Sequence, residues 1–314
     1  MENKAKAFTN SIFEKSWWLD AVAKNQWERV IVKKKNGETA ATFPIYRTKH
    51  FGFKLLTVPT LTQTLGIYIE DTGAKLTKRL EKEKKLINEI IEKLPKGYNF
   101  DFFLDINNEY ILPFIWSGFK VEPRFSYRFE SLDSLDEIWS GFKENIKTDI
   151  RKAQKKVSVI EEDDIELLIQ MQKKTFERQG RKLPIDEAII HRIDEAAARN
   201  NSKLLLCAKD FEGNLHAAAY FVFDENRCYY LISGGDPEYR NSGATSLLIW
   251  EGIKRASKRV SIFDFEGSMI EDIERFVRGF GAKPRTYYRV KKQNCILSLA
   301  EYIKPVIKKV LNYK

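Results

Sequence analysis

The sequence predicts an α/β protein of α+β character, built as two halves that each hold a mixed, largely antiparallel sheet flanked by helices. Three observations predict it. Short runs rich in β-branched and aromatic residues are separated by turn signals such as Asn36-Gly37 and Glu212-Gly213-Asn214. Between them lie longer stretches whose apolar residues recur every three or four positions, the period of a helix with one buried face. The 314 residues are also enough for two ordinary domains.

Taken in order, Ser16 is a suitable N-cap for an aromatic-rich helix over 17–24. Strands over 27–34 and 38–46 form a hairpin about Asn36-Gly37, and 54–58 is a third strand. A long helix over 73–94 puts Leu76, Leu80, Leu86, Ile87, Ile90 and Ile91 broadly on one face and ends at Pro95 and Gly97. A strand over 98–104, a short helix over 109–116 and a strand over 119–129 complete the first half. Over 135–156, Ile138, Phe142, Ile146, Ile150 and Ala153 keep helical spacing beneath a charged outer face, which predicts one continuous basic helix. The second half opens with helices over 163–179, closed by Gly180, and 184–200. A three-stranded meander follows over 203–209, 215–223 and 227–233. A helix over 244–258, a strand over 260–265, a helix over 269–278 and a strand over 286–291 end it. The expected divisions are 1–132, a connecting helix over 133–158, a second domain over 159–296, and a terminal amphipathic helix over 297–314 docking on the first domain.

With 43% hydrophobic and 31% charged residues the chain lies outside the disordered regime. Three cysteines without a CxxC pair and three dispersed histidines argue against a disulfide framework, a zinc site or a Ser-His-Asp triad, so no metal is expected. The polar first fifteen residues lack a signal-peptide core, and no run approaches the roughly 18 apolar residues of a membrane span. A cytoplasmic location is the expectation. The net charge of +10 points to an anionic partner. It gathers in Lys143, Lys147, Arg151, Lys152, Lys155 and Lys156, and again from Lys283 onward, where nine basic residues face one acid, Glu301. Solvated helix faces explain such clusters equally well; tRNA or a peripheral membrane contact is the functional alternative.

The most informative segment is 230–248, an apolar strand, a loop and a helix. Such a junction presents unpaired backbone N–H groups at the positive end of a helix and suits a pyrophosphate. Gly234, Gly235, Arg240, Asn241, Ser242, Gly243, Ala244 and Thr245 are its candidate binding residues. Arg240-Asn241-Ser242-Gly243-Ala244 resembles the pyrophosphate loop of GNAT acyltransferases, Arg/Gln-x-x-Gly-x-Gly/Ala, with Thr245 in place of the last small residue. The order of elements in the second half resembles that fold. More specifically, the chain is similar to the Fem family, whose members carry two such domains and transfer amino acids from aminoacyl-tRNA to peptidoglycan precursors. The likeness rests on Pro59-Thr60-Leu61-Thr62-Gln63-Thr64-Leu65-Gly66, Ile150-Arg151-Lys152-Ala153, Arg178-Gln179-Gly180, Phe263-Asp264-Phe265-Glu266-Gly267 and Phe276-Val277-Arg278-Gly279-Phe280-Gly281-Ala282. The resemblance implies an acyltransferase acting on an amine. Val277 stands where tRNA-using members carry a lysine, which turns the reading toward acyl-CoA or a similar thioester as donor. Aminoacyl-tRNA and a non-catalytic binding module remain the alternatives.

Amine attack on an activated acyl group needs a proton acceptor and an oxyanion donor. Asp264 and Glu266 lie two apart at the end of a strand, so their side chains share a face. With Tyr230 they are the candidate catalytic groups; backbone N–H groups around Leu231–Gly234 are candidate oxyanion donors. Gln63, Gly66, Arg178, Tyr239 and Arg278 are candidate substrate contacts, the first two in an expected cleft between the halves.

Overall fold

A computed structural model describes residues 9–71, 73–267 and 269–298. The helices are α1 (Ser16–Ala23), α2 (Leu76–Lys93), α3 (Leu112–Trp116), α4 (Leu135–Ser140), α5 (Glu144–Gln154), α6 (Glu166–Glu177), α7 (Glu187–Arg199), α8 (Ala244–Ala256) and α9 (Glu271–Arg278). The strands are β1 (Trp27–Lys33), β2 (Thr39–His50), β3 (Phe53–Thr57), β4 (Tyr68–Ile69), β5 (Asn99–Phe103), β6 (Lys120–Phe129), β7 (Val157–Glu162), β8 (Lys203–Asp210), β9 (Leu215–Phe223), β10 (Arg227–Gly235), β11 (Ile262–Asp264) and β12 (Lys283–Lys292). The terminal helix expected from 297 lies largely outside the described residues.

The chain divides into two compact units, one of residues up to Arg124 together with those from Tyr287 on, the other Phe125–Thr286. In the first unit β1, β2 and β3 are antiparallel neighbours, β3 and β5 are parallel, and β5 pairs antiparallel with the end of β12, Arg289 opposite Phe103. In the second, β7, β8, β9 and β10 are antiparallel, β10 and β11 are parallel, and β11 meets the end of β6, Asp264 opposite Arg128. Both units thus contain an antiparallel meander, one parallel pair joined through a helix, and a last strand drawn from a distant part of the chain. Each is a mixed, mostly antiparallel sheet flanked by helices.

Three differences from the sequence reading have local causes. The helix expected over 135–156 is two helices. Ser134 caps α4 by accepting the Glu137 N–H, and the chain then breaks at Gly141, where Phe142 turns into the core against Trp139, Trp250 and Phe280. Both helices lie within the second unit. Ser16 is the first residue of α1 and Lys15 its N-cap. Strand β7 went unrecognised because its buried face is nearly confined to Val157, as suits the outermost strand of a sheet.

The core of the second unit stacks α5 and α8 on the sheet through Ile146, Ile150, Leu248, Ile253, Phe221 and Phe263. Gly252 permits the close approach of α8, since a β-carbon there would lie 2.4 Å from the Phe221 ring. Cys207 and Cys228 are buried in this sheet and Cys295 is exposed. Burial pushes the Cys207 thiol up to about 12 and the Cys228 thiol well above its ordinary value. In the first unit Trp18 is wholly buried and donates its indole N–H to Thr62 Oγ1 at 3.0 Å.

Candidate functional site

The candidate site lies in the second unit, where β10 ends and α8 begins. Strands β10 and β11 pair only over Arg227–Tyr229 and Ile262–Asp264. Past that point β10 continues to Gly235 on β9 alone, with an irregularity between Tyr230 and Ile232 that takes Leu231 out of register. Helix α6 covers the end of β10. Gln172 Nε2 donates to the Ser233 carbonyl, and the Thr175 hydroxyl accepts the Gly235 N–H at 3.0 Å. A β-carbon on Gly234 would come within 2.4 Å of the Met171 carbonyl carbon, so only glycine lets α6 approach that closely.

The following loop is built by its own short-range bonds. Asp236 N–H binds the His216 carbonyl at 2.9 Å, and Tyr239 N–H binds the Asp236 carbonyl at 3.1 Å. Lys174 forms an ion pair with the buried Asp236 carboxylate, and this pairing helps hold that acid below its ordinary value against the cost of burial. Gly243 caps α8 at φ +81° and rests on the Asp149 carbonyl of α5, which a β-carbon would meet at 2.2 Å. With Gly243 in that position, the first N–H groups of the 13-residue α8 are left without intrahelical partners.

A cavity of about 570 Å³ opens over this junction. All eight candidates from the strand–loop–helix segment, from Gly234 to Thr245, line it, joined by Arg178 and Tyr239. The structure adds Asp149, Lys152, Thr175, His216, Ser233, Asp236, Pro237, Ser246 and Phe276. Of these, Lys152 was foreshadowed by the mid-chain basic cluster. His216 carried no signal in the sequence, because its neighbourhood is made by the pairing of β9 with β10. Lys152, Arg178 and Arg240 have no ion-pair partner among the described residues. His216 is 6% exposed; its Nε2 lies 3.2 Å from Asp210 Oδ2, and its ring stacks parallel on Tyr239 with centroids 4.0 Å apart.

The other sequence candidates lie elsewhere. Asp264 is fully buried, ion-paired with Arg128 Nε and bonded to Ser126 Oγ and the Glu266 N–H. That network occupies the carboxylate structurally. Glu266 follows at φ +58°, in the left-handed region unusual for glutamate, and desolvation, with Asp264 nearby, raises its carboxyl well above the ordinary range. Tyr230 shares a hydrogen bond with Ser233 Oγ, and burial pushes its hydroxyl up to about 12. It therefore sits one residue behind the cavity wall. Arg278 is exposed on α9 and bonds Glu274 at 2.8 Å. In the first unit Gly66 is buried and donates to Glu14 Oε1 at 2.9 Å, and Gln63 is half-buried in the same loop. The described residues contain no cluster of His, Cys, Asp and Glu able to hold a metal ion, and no helix long and apolar enough to cross a membrane.

Residues 140–271 match the family model described as an acetyltransferase (GNAT) domain. No curated protein sequence matches the chain. Among solved structures, FemX matches with a TM-score of 0.70 at 16% identity, over 93% of this chain and 94% of that one. A tandem GNAT protein from the clavulanic acid biosynthesis pathway matches at TM-score 0.53 and 9% identity, covering 85% and 83% of the two chains. The L-PGS of Bacillus licheniformis matches at TM-score 0.52 and 10% identity, covering 87% of each. At these identities the likeness establishes the fold, a tandem GNAT-like arrangement.

Proposed function

We propose that this chain, which carries a GNAT domain over residues 140–271, is an acyltransferase that holds an activated acyl donor by its phosphate-bearing part and passes the acyl group to an amine. The observation that supports this best is the cavity at the β10–α8 junction. One polar enclosure combines a left-handed glycine cap, the N-terminus of a 13-residue helix and three cations, Lys152, Arg178 and Arg240, without ion-pair partners among the described residues. Each of these features favours phosphate oxygens.

A donor anchored there would run back along β10 toward the point where β11 departs. Its carbonyl would then meet backbone N–H groups near Leu231, which the bulge takes out of the β9 ladder. The amine must lose a proton as it attacks. Glu266 is the preferred acceptor, because it follows the end of β11, where that strand parts from β10, and burial raises its carboxyl above the ordinary range. Asp264, held by Arg128 and Ser126 and accepting the Glu266 N–H, acts as a positioning residue for that turn. Tyr230 braces Ser233 at the cavity wall.

Acyl-CoA or a similar thioester fits the cavity's size and its concentrated cations. A second reading, aminoacyl-tRNA as donor in the manner the Fem resemblance implies, is favoured by the exposed basic residues on and flanking α5, Lys143, Arg151, Lys152, Lys155 and Lys156, of which Lys152 lines the cavity. The deciding experiment is a thermal-stability comparison with acetyl-CoA, longer acyl-CoAs and deacylated tRNA, followed by turnover with a panel of amines. A ligand at 100 times its Kd should stabilise by about 2.7 kcal/mol. Stabilisation by a CoA ester supports the first reading. Stabilisation by tRNA alone, falling steeply with salt, supports the second; no response to either would leave a non-catalytic binding module.

A further inference from the structure

The cavity contains a feature that phosphate binding does not use. His216 and Tyr239 stack with centroids 4.0 Å apart and planes within 4° of parallel, and both line the cavity beside Gly235 and Arg240. The pair is firmly based. His216 lies on β9, its carbonyl takes the Asp236 N–H, and Asp210 holds its Nε2. Asp210 is itself fixed by the Asn214 amide and backbone. Tyr239 is the outer ring, half-buried where His216 is buried, so the flat group left for a ligand is the tyrosine. A second observation points the same way. Asp210 occupies the Nε2 side of the His216 ring, which leaves the other ring nitrogen, Nδ1, to a further partner. That Nδ1 is buried and has no hydrogen-bond partner among the described residues, in contrast to most buried polar atoms.

Resting on the acyltransferase reading, we infer that Tyr239, backed by His216, is a stacking platform for the nucleobase of the donor, whose phosphates lie against Arg240, Lys152 and the N-terminus of α8. The recognised chemistry is a nucleobase joined to phosphates. It occurs in the nucleotide end of a coenzyme thioester and in the 3′ end of an RNA, and the platform serves either one. Stacking of a base on an aromatic side chain is sequence-tolerant and strong enough to matter for affinity, about 1–3 kcal/mol per base, or roughly five- to hundredfold in Kd.

The test is calorimetric titration of the full chain with adenosine 3′,5′-bisphosphate, with 4′-phosphopantetheine, which has the phosphate but no base, with coenzyme A, and with a short RNA ending in CCA. Tyr239→Ala is expected to weaken the bisphosphate roughly five- to hundredfold and leave 4′-phosphopantetheine unchanged. Tyr239→Phe should keep wild-type affinity within about twofold. Tyr239→Leu, which preserves bulk without the ring face, should behave as the alanine variant and covers the case in which alanine disturbs the loop. Whichever of coenzyme A and the RNA loses affinity in these variants is the source of the nucleotide. Coenzyme A and RNA binding that both ignore Tyr239→Ala and Tyr239→Leu overturn the platform and leave the acyltransferase reading standing. Failure of the wild-type chain to bind any of the four probes overturns both.

Discussion

Gly243 concentrates two demands on one residue. Its φ of +81° is costly for any residue with a β-carbon, and the space that atom would take is filled by the Asp149 carbonyl at 2.2 Å. Gly243→Ala is therefore expected to displace the start of α8, weakening donor binding at least tenfold in titrations while the rest of the fold melts cooperatively. Glu14 makes a different kind of demand. It is fully buried, and desolvation together with Asp105 raises its carboxyl to about 8. The folded state holds a proton on this group up to about pH 8, whereas the unfolded chain releases it near the ordinary carboxyl value. Stability from this source is thus complete below that ordinary value and declines as pH rises toward 8. Glu14→Gln, which keeps an acceptor for the Gly66 N–H without the charge, should flatten the pH dependence of Tm between pH 5 and 8. Asp264 and Glu266 should separate cleanly. Asp264→Ala leaves Arg128 buried without its carboxylate and should cost about 3–5 kcal/mol in denaturant unfolding. Glu266→Gln should retain the fold and lower kcat by about 10²–10⁴. In wild type, kcat/KM should rise with pH over a range well above that of an ordinary carboxyl.

At the scale of elements, the β10–loop–α8 junction was legible in the sequence. Its cues are local: an apolar strand, a glycine pair, an arginine and a glycine before a helical run. The close packing that shapes the cavity there was not legible. Gly234 matters because the α6 backbone crosses it, and a β-carbon would lie 2.4 Å from Met171; Gly234→Ala should loosen α6 and lower Tm even though glycine is a poor strand former. The same limit explains His216 and Asp149, which enter the cavity from β9 and α5 through tertiary pairing alone. Periodicity also overran its authority between 135 and 156. The apolar spacing is continuous there, but Phe142 is held by three aromatic neighbours that a straight helix could not reach together. Strand β7 was missed for the converse reason, since an outer strand with little buried surface leaves only a faint pattern.

For the whole molecule, the exchange of last strands matters most. Strand β5 of the first unit depends on residues near 289–292, where Arg289 bonds Asp101 through Nε at 2.6 Å. A fragment comprising residues 1–132 would lose that strand and leave β5 as an open edge. It is expected to aggregate or to unfold without a cooperative transition, whereas the full chain unfolds cooperatively; circular dichroism and size-exclusion chromatography of the two would decide. The two buried thiols give the sheet of the second unit a clock. Native protein should take up a single alkyl group at Cys295, since Cys207 and Cys228 are shielded and held protonated. Mass spectrometry of labelling over hours would then count how often the meander of the second unit opens, molecule by molecule, without any substrate in hand.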